Sequence, residues 1–148
     1  MLLCYLQDHV DAISEVLTRL GVVNSIMKGG TKTYVESLAL VGTYDKVGTG
    51  FDEKNRCPDF SGVPFNTLGM CSSIKDHVML EQSLGRVFRV FFPDVVDFVD
   101  KYNGPKKDNF NDHYLERNKW YKAHKVTYMD TAFLAPVYQP MLIGQRMV

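Results

Sequence analysis

Met1-Leu-Leu-Cys-Tyr-Leu6, then Asp8 to Leu20 with Val10, Ile13, Leu17 and Leu20 at helical spacing, then Gly21 and Val22-Val-Asn-Ser-Ile-Met27, reads as strand, helix, strand. The opening run is continuously apolar, as a strand buried on both faces of a parallel sheet requires. Asp8 is the expected N-cap, and Asp11 in the first turn complements the helix dipole. Gly21 is the expected stop, because a helix commonly ends on a residue with left-handed backbone. Two strands joined through a helix form a right-handed crossover and place both strands parallel in one sheet.

The rest of the chain continues that rhythm. After Lys28-Gly-Gly30 and a short turn or helical segment, Leu38-Ala-Leu-Val41 is a third strand. Thr67–Ser72 is a fourth, Asp76–Val90 a helix, Val95–Val99 a fifth strand and Phe110–Lys125 a last helix. The expected class is α/β, a parallel sheet with helices on both faces. Residues 1–102 form the expected domain, with 53–66 (Pro58, Gly62, Pro64) as a loop insertion longer than most connections. Residues 103–148 form a helical and irregular extension, whose tail from Asp130 is apolar without a clear period.

The 148 residues suit one domain, and 17 Lys+Arg against 17 Asp+Glu exclude a polycation that binds by bulk charge. Cys4, Cys57 and Cys71 are spaced too widely for a CxxC pair or a zinc ribbon, and their odd number argues against a disulfide framework. A reducing, intracellular compartment is therefore expected. The four histidines form no metal motif; His77 and Glu81 share a helix face as a solvated pair, and no metal site is expected. No apolar run approaches the roughly 20 residues of a membrane span, and no basic region precedes Met1–Leu6 as in a secretory signal.

Two segments carry chemistry. In Leu80-Glu-Gln-Ser-Leu-Gly-Arg-Val-Phe-Arg-Val-Phe91, Gln82, Arg86 and Arg89 fall within roughly 60° of one another on a helix. Leu80, Leu84, Val87 and Phe91 occupy the other side. Two guanidiniums and an amide at one spot suit an oxyanion, above all a phosphate, and Gly85 leaves room for close approach. A solvated helix face is the plain alternative. Val41-Gly-Thr-Tyr-Asp-Lys-Val-Gly-Thr-Gly-Phe-Asp52 leaves the carboxyl end of a strand, where open α/β sheets place ligands. Gly42, Gly48 and Gly50 permit tight turns, Thr43 and Thr49 carry hydroxyls, and Asp52 offers a carboxylate to a sugar hydroxyl or an arginine. It fits neither GxxxxGK[ST] nor GxGxxG, and a plain glycine-rich turn competes with the ligand loop.

Gly42–Asp52, the strand ending at Ser72-Ser73, and Gln82-x-x-Gly85-Arg86-x-x-Arg89 together resemble motifs V and VI of superfamily 2 helicases. Order and spacing are most similar to the C-terminal RecA-like domain of helicases from large cytoplasmic DNA viruses, with Leu2–Leu20 at the place of motif IV. The resemblance covers residues 1–100 and, more loosely, 101–125. It implies a RecA-like domain forming half of an ATP-dependent helicase or translocase. Arg89 would be the arginine finger on the γ-phosphate, with Arg86 and Gln82 holding phosphate beside it. Gly50, Asp52 and Gly85 would lie by the nucleotide, and Thr43 and Thr49 on the nucleic-acid backbone, with Lys28 and Thr31 as a further phosphate contact.

Phe88 and Gln82 stand where the DEAD-box subgroup has glycine and histidine, which sets the chain apart from that subgroup. Neither a Walker A lysine nor a DExx box is present, so ATP with Mg2+ would be shared with an N-terminal helicase domain as partner. Single-stranded DNA or RNA is the other implied partner; no membrane is, and the location is host cytoplasm or virion if the protein is viral. By itself such a chain would hydrolyse nothing. Between Lys101 and Lys125, seven Lys/Arg against three acids leave a local +4 beside Trp120 and Tyr121. These residues suit phosphates and stacked bases, or else an ordinary amphipathic helix. A non-catalytic RecA-like binding or scaffold module is the competing reading of the whole; a small-molecule phosphate enzyme is disfavoured, since no general base stands near the arginines in sequence.

Overall fold

The structure, a computed structural model, describes residues 1–48, 50–99 and 109–126. Its elements run β1 (Leu2–Cys4), α1 (Gln7–Arg19), β2 (Asn24–Met27), β3 (Ala39–Thr43), a π-helical turn (Tyr44–Gly48), α2 (Glu53–Arg56), β4 (Thr67–Met70), α3 (His77–Val87), β5 (Asp94–Asp97) and α4 (Asn109–Ala123). All five strands are parallel, in the order β2-β3-β1-β4-β5. This is a RecA-like α/β architecture with helices on both faces of the sheet. Thr49, the Lys101–Lys107 stretch and the tail from Asp130 lie outside the described residues.

Alternation along the strands divides the core in two. Leu3, Met27, Leu40, Leu68 and Met70 face Leu80, Leu84 and Val87 of α3, together with Tyr44 and Val47 of the π turn and Trp120 and Tyr121 of α4. Cys4 and Val41 face the other way, onto Val10, Ile13 and Leu17 of α1. Val10 and Leu17 are fully or almost fully buried, each stabilising the fold by about 1.5–3 kcal/mol. The connection from β1 runs over one face to β2, whereas that from β3 runs over the other to β4. The topological switch point therefore lies between β1 and β3.

Helix ends show where local chemistry decides and where it yields. Gly21, at φ +75°, closes α1 as expected: its N–H donates to Thr18 O at 3.0 Å, and Val22 N–H to Leu17 O at 2.9 Å. These two bonds satisfy carbonyls that the last turn leaves open. At the other end the N-cap is Leu6, with no side-chain cap bond, and Asp8 lies inside the first turn. Asp8 acts there through the dipole rather than as a cap. Asp76, expected as the first helical residue, is instead the N-cap of α3, accepting from Val78 N–H and Met79 N–H.

The end of α3 departs from the expected Val90. The helix stops at Val87, with Phe88 as C-cap donating to Leu84 O at 3.1 Å. Val87 is the last side chain with a core to enter; Phe91, expected on the core stripe, is 96% exposed. Pro93, just before β5, also disfavours helix at Phe92. The 53–66 insertion is a short helix followed by a latch. Tyr34 N–H donates to Arg56 O, Glu36 N–H to the Asp59 carboxylate, and Ser61 N–H and Oγ to the Glu36 carboxylate. The segment between β2 and β3, expected as a turn or helix, is instead an extended loop held by that latch.

α4 docks on the carboxyl ends of β4 and β5. Arg117, 1% exposed, donates through Nε and Nη2 to the two Asp97 oxygens at 2.8 and 3.0 Å, and through Nη1 to Ile74 O at 2.8 Å. Tyr121 Oη donates to the same carboxylate at 2.9 Å. Ser73 Oγ bonds His113 Nδ1, and His77 Nε2 bonds the Glu116 carbonyl, so His77 pairs with α4 rather than with Glu81.

Candidate functional site

The two segments singled out in the sequence meet in space. Arg86 Nη1 donates to the Phe51 carbonyl at 2.8 Å, which brings the end of the Gly42–Asp52 loop against α3. Around that bond Met1, Phe51, Glu53, Phe65, Arg86 and Arg89 line a cleft of about 10 Å³, room for about one water molecule. The cleft is too small to admit a phosphate, and Arg89 is exposed at its mouth.

Met1 and Phe65 precede β1 and β4, so the arginines stand at the amino ends of the strands, opposite the carboxyl end from which the Gly42–Asp52 loop departs. The reason is the π turn and the path of the chain beyond it. The chain leaves β3 at Thr43, folds back along α3 with Tyr44 and Val47 buried, and reaches Phe51 at the far edge. Two of its glycines serve packing: a Cβ on Gly42 would stand 2.4 Å from Val47 Cγ2, and one on Gly48 would stand 2.8 Å from Ser83 Oγ. Gly50 serves conformation, with φ +61° and open space around it.

Arg86 is half-buried, and its Nε is buried with no hydrogen-bond partner. An unmatched buried donor costs about 1–3 kcal/mol, so an oxyanion that accepted from it would recover that cost. Burial, and then the nearby Arg89 charge, lower the Arg86 pKa, while Asp52 raises it. Arg89 lies just past the helix end, not on its face, and the turn brings it to the same cleft. Both cations sit at the helix C-terminus, where the dipole favours them.

Glu53 is the residue that sequence reading missed. Half-buried in the same cleft, its Oε1 accepts from Phe65 N–H at 3.1 Å. Desolvation pushes its pKa up, while the Phe65 hydrogen bond and then the Arg89 charge pull it down. Nothing in the sequence marked it beyond its place next to Asp52. Asp52 itself spends its carboxylate capping α2, accepting from Lys54 N–H and Asn55 Nδ2, each at 3.0 Å. Gln82 is exposed on α3, one turn before Arg86. Gly85 is exposed too, and nothing lies within 4 Å of where its Cβ would stand. The cations and the open surface suit a nucleotide's phosphates; the carboxylate of Glu53 opposes them.

The second group of expected residues lies at the other end of the sheet, roughly 15 Å away across the five residues of β3. Thr43 ends β3 beside the switch point, 6% exposed. Lys28 follows β2 and pairs with Asp11, and Thr31 N–H donates to Lys28 O at 2.9 Å. Tyr5, 64% exposed, leaves β1 on the same edge. Trp120 and Tyr121, candidates for base stacking, are instead 9% and 3% exposed in the core, and Arg117 is consumed by Asp97. Of the basic segment, Lys119 and Lys122 on α4 and Lys125 just past its end are exposed.

Among the described residues no group of three or more His, Cys, Asp or Glu could hold a metal ion, and no helix is long and apolar enough to cross a membrane. Comparison with protein-family models, curated proteins and solved structures finds no match to this chain.

Proposed function

We propose that this chain is the C-terminal half of an ATP-dependent nucleic-acid helicase or translocase. The carrying observation is the meeting of Arg86 and Arg89 with the end of the Gly42–Asp52 loop, two segments far apart in sequence. In this reading ATP with Mg2+ lies between the amino edge of the sheet and an N-terminal helicase domain. Bound there, it would supply the phosphoryl group to be transferred. Arg89, exposed at the cleft mouth, places positive charge where negative charge develops, and the guanidinium of Arg86 behind it adds a second charge to the same field. The Phe51 carbonyl fixes the Arg86 fork, so less freedom is lost on binding. At the opposite edge, Lys28, Thr31 and the turn after Thr43 form the track for the backbone of single-stranded DNA or RNA.

The test pairs this chain with an N-terminal domain bearing the Walker A and DExx motifs and measures nucleic-acid-stimulated ATP hydrolysis. Arg89→Ala is expected to lose about 10³-fold or more in turnover. Wild-type turnover in that variant would overturn the assignment.

One observation favours a second reading, a binding module without catalysis: the Asp52 carboxylate is already committed to the α2 cap. A module of that kind would bind its partner equally well with and without nucleotide, and Arg89→Ala would leave that affinity unchanged.

A further inference from the structure

Cys4 and Cys71, remote in sequence, are neighbours across β1 and β4. The parallel register pairs Leu2 with Gly69 and Leu3 with Met70, and the next rung sets Cys4 opposite Cys71. Cys71 N–H donates to Leu3 O at 2.8 Å, so the ladder is intact at that point. Partners in a parallel register point to the same face, and both side chains enter the core beneath α1. The Cys71 thiol donates to Gly69 O at 3.8 Å, and each of the two thiols perturbs the other's ionisation. Cys4 is fully buried and Cys71 partly exposed, while Cys57 lies buried in the core on the other face of the sheet.

We propose that Cys4 and Cys71 form a reversible intramolecular disulfide in response to hydroperoxides. The spacing permits the bond: adjacent strands lie roughly 4.8 Å apart, within the roughly 4.4–6.8 Å range of Cα separations that a disulfide spans. It does not favour the bond fully, because the Cβ atoms must draw closer, to about 3.8 Å. Such a bridge is strained and readily reduced, the property of regulatory rather than structural disulfides. The two residues stand where the strands end, so the backbone of Cys71-Ser72-Ser73 can yield to that approach.

The chemistry balances without a cofactor. A hydroperoxide transfers one oxygen to the sulfur of Cys71, the accessible member, giving a sulfenic acid and releasing the alcohol, or water when the oxidant is hydrogen peroxide. The Cys4 sulfur attacks the Cys71 sulfur, its proton leaves with the displaced hydroxyl as water, and the S–S bond closes. The two thiols lose two electrons and two protons, and the hydroperoxide is reduced by two electrons. Contact with Cys4 and then burial push the Cys71 thiol up, so oxygen transfer to it is the slow step and closure of the S–S bond follows it.

The consequence is local. Ser72 O accepts from Tyr44 Oη at 2.8 Å, and Ser73 Oγ bonds His113 of α4. Drawing Cys71 toward β1 therefore pulls on the loop that anchors both the π turn and α4.

The experiment treats the folded chain with hydrogen peroxide, quenches, unfolds and alkylates. Before oxidation three cysteines should alkylate; afterwards only Cys57 should, with an intact mass lower by two hydrogens before alkylation, a single peptide joining Cys4 to Cys71, and recovery by dithiothreitol. Cys57→Ala should leave the bridging unchanged, and Cys71→Ala should abolish it. Three free thiols after oxidation, a bridge to Cys57, or disulfides only between chains would each overturn the proposal. The wild-type measurement decides the matter even where a variant fails to fold, and it is independent of any ATPase assay.

Discussion

Arg117 grips Asp97 with two parallel hydrogen bonds, Nε to Oδ2 at 2.8 Å and Nη2 to Oδ1 at 3.0 Å, and only 1% and 5% of the two side chains meet solvent. Removing one member strands the other charge in the interior, at a cost of about 3–5 kcal/mol. Arg117→Ala and Asp97→Asn should both lower stability strongly in urea titrations. Arg117→Lys should recover little, because an ammonium cannot reproduce the planar fork that also reaches Ile74 O. A loss below about 1 kcal/mol in Arg117→Ala, far short of the cost of an uncompensated buried charge, would show that α4 does not depend on this clamp.

Gly85 gives a prediction of opposite sign. It is a glycine inside a helix with open space where a Cβ would stand. Gly85→Ala should therefore stabilise the isolated chain by up to about 1 kcal/mol. When the chain is paired with an N-terminal domain, the added methyl should weaken nucleotide-dependent closure if another surface approaches there. Chemical denaturation of the single chain and ATPase titration of the pair measure the two effects separately. A stabilised chain with undiminished ATPase activity would mean that Gly85 faces only water.

The sheet was legible because its strands are written in apolar runs and its first helix in a clean period closed by Gly21. Leu3 and Leu40 share one face with Met27 while Cys4 and Val41 share the other, a division that alternation alone requires. The features that stayed hidden depend on the third dimension. Periodicity extended α3 to Val90 because Phe91 matched the core stripe, but the core ends at Val87 and Phe91 stands in solvent. The arginines were found as a cluster, but their meeting with the loop at the amino edge stayed hidden, since nothing in Tyr44–Gly48 announces a π turn folding back along α3. Arg117 counted as one cation in a basic segment, though its partner Asp97 sits in a strand and not in the same helix. Glu53 became visible only once the insertion had folded over Met1.

Glu53 makes the pH dependence of this cleft unusual. For a carboxyl group, desolvation raises the folded-state pKa above its unfolded value of 4.5, despite the Phe65 hydrogen bond and the nearby Arg89. The folded chain then binds more proton than the unfolded chain in the window just above 4.5, so this group's contribution to stability falls as pH rises through that window. Below the window both states are protonated, and the penalty vanishes. Above the raised value both are ionised, and the penalty is constant. Glu53→Gln keeps an oxygen for Phe65 N–H and removes the ionisation, so it should be more stable than wild type at neutral pH and similar to it at pH near 4. The gain is modest, because the side chain is half-exposed and water screens it. The same substitution removes the Glu53 carboxylate from the lining of the arginine cleft, so it should also tighten binding of inorganic phosphate at neutral pH. Urea unfolding at pH 4 and 7, with phosphate titration of both proteins, tests the pair of effects. A variant less stable than wild type at pH 7 would mean that the Arg89 interaction outweighs desolvation.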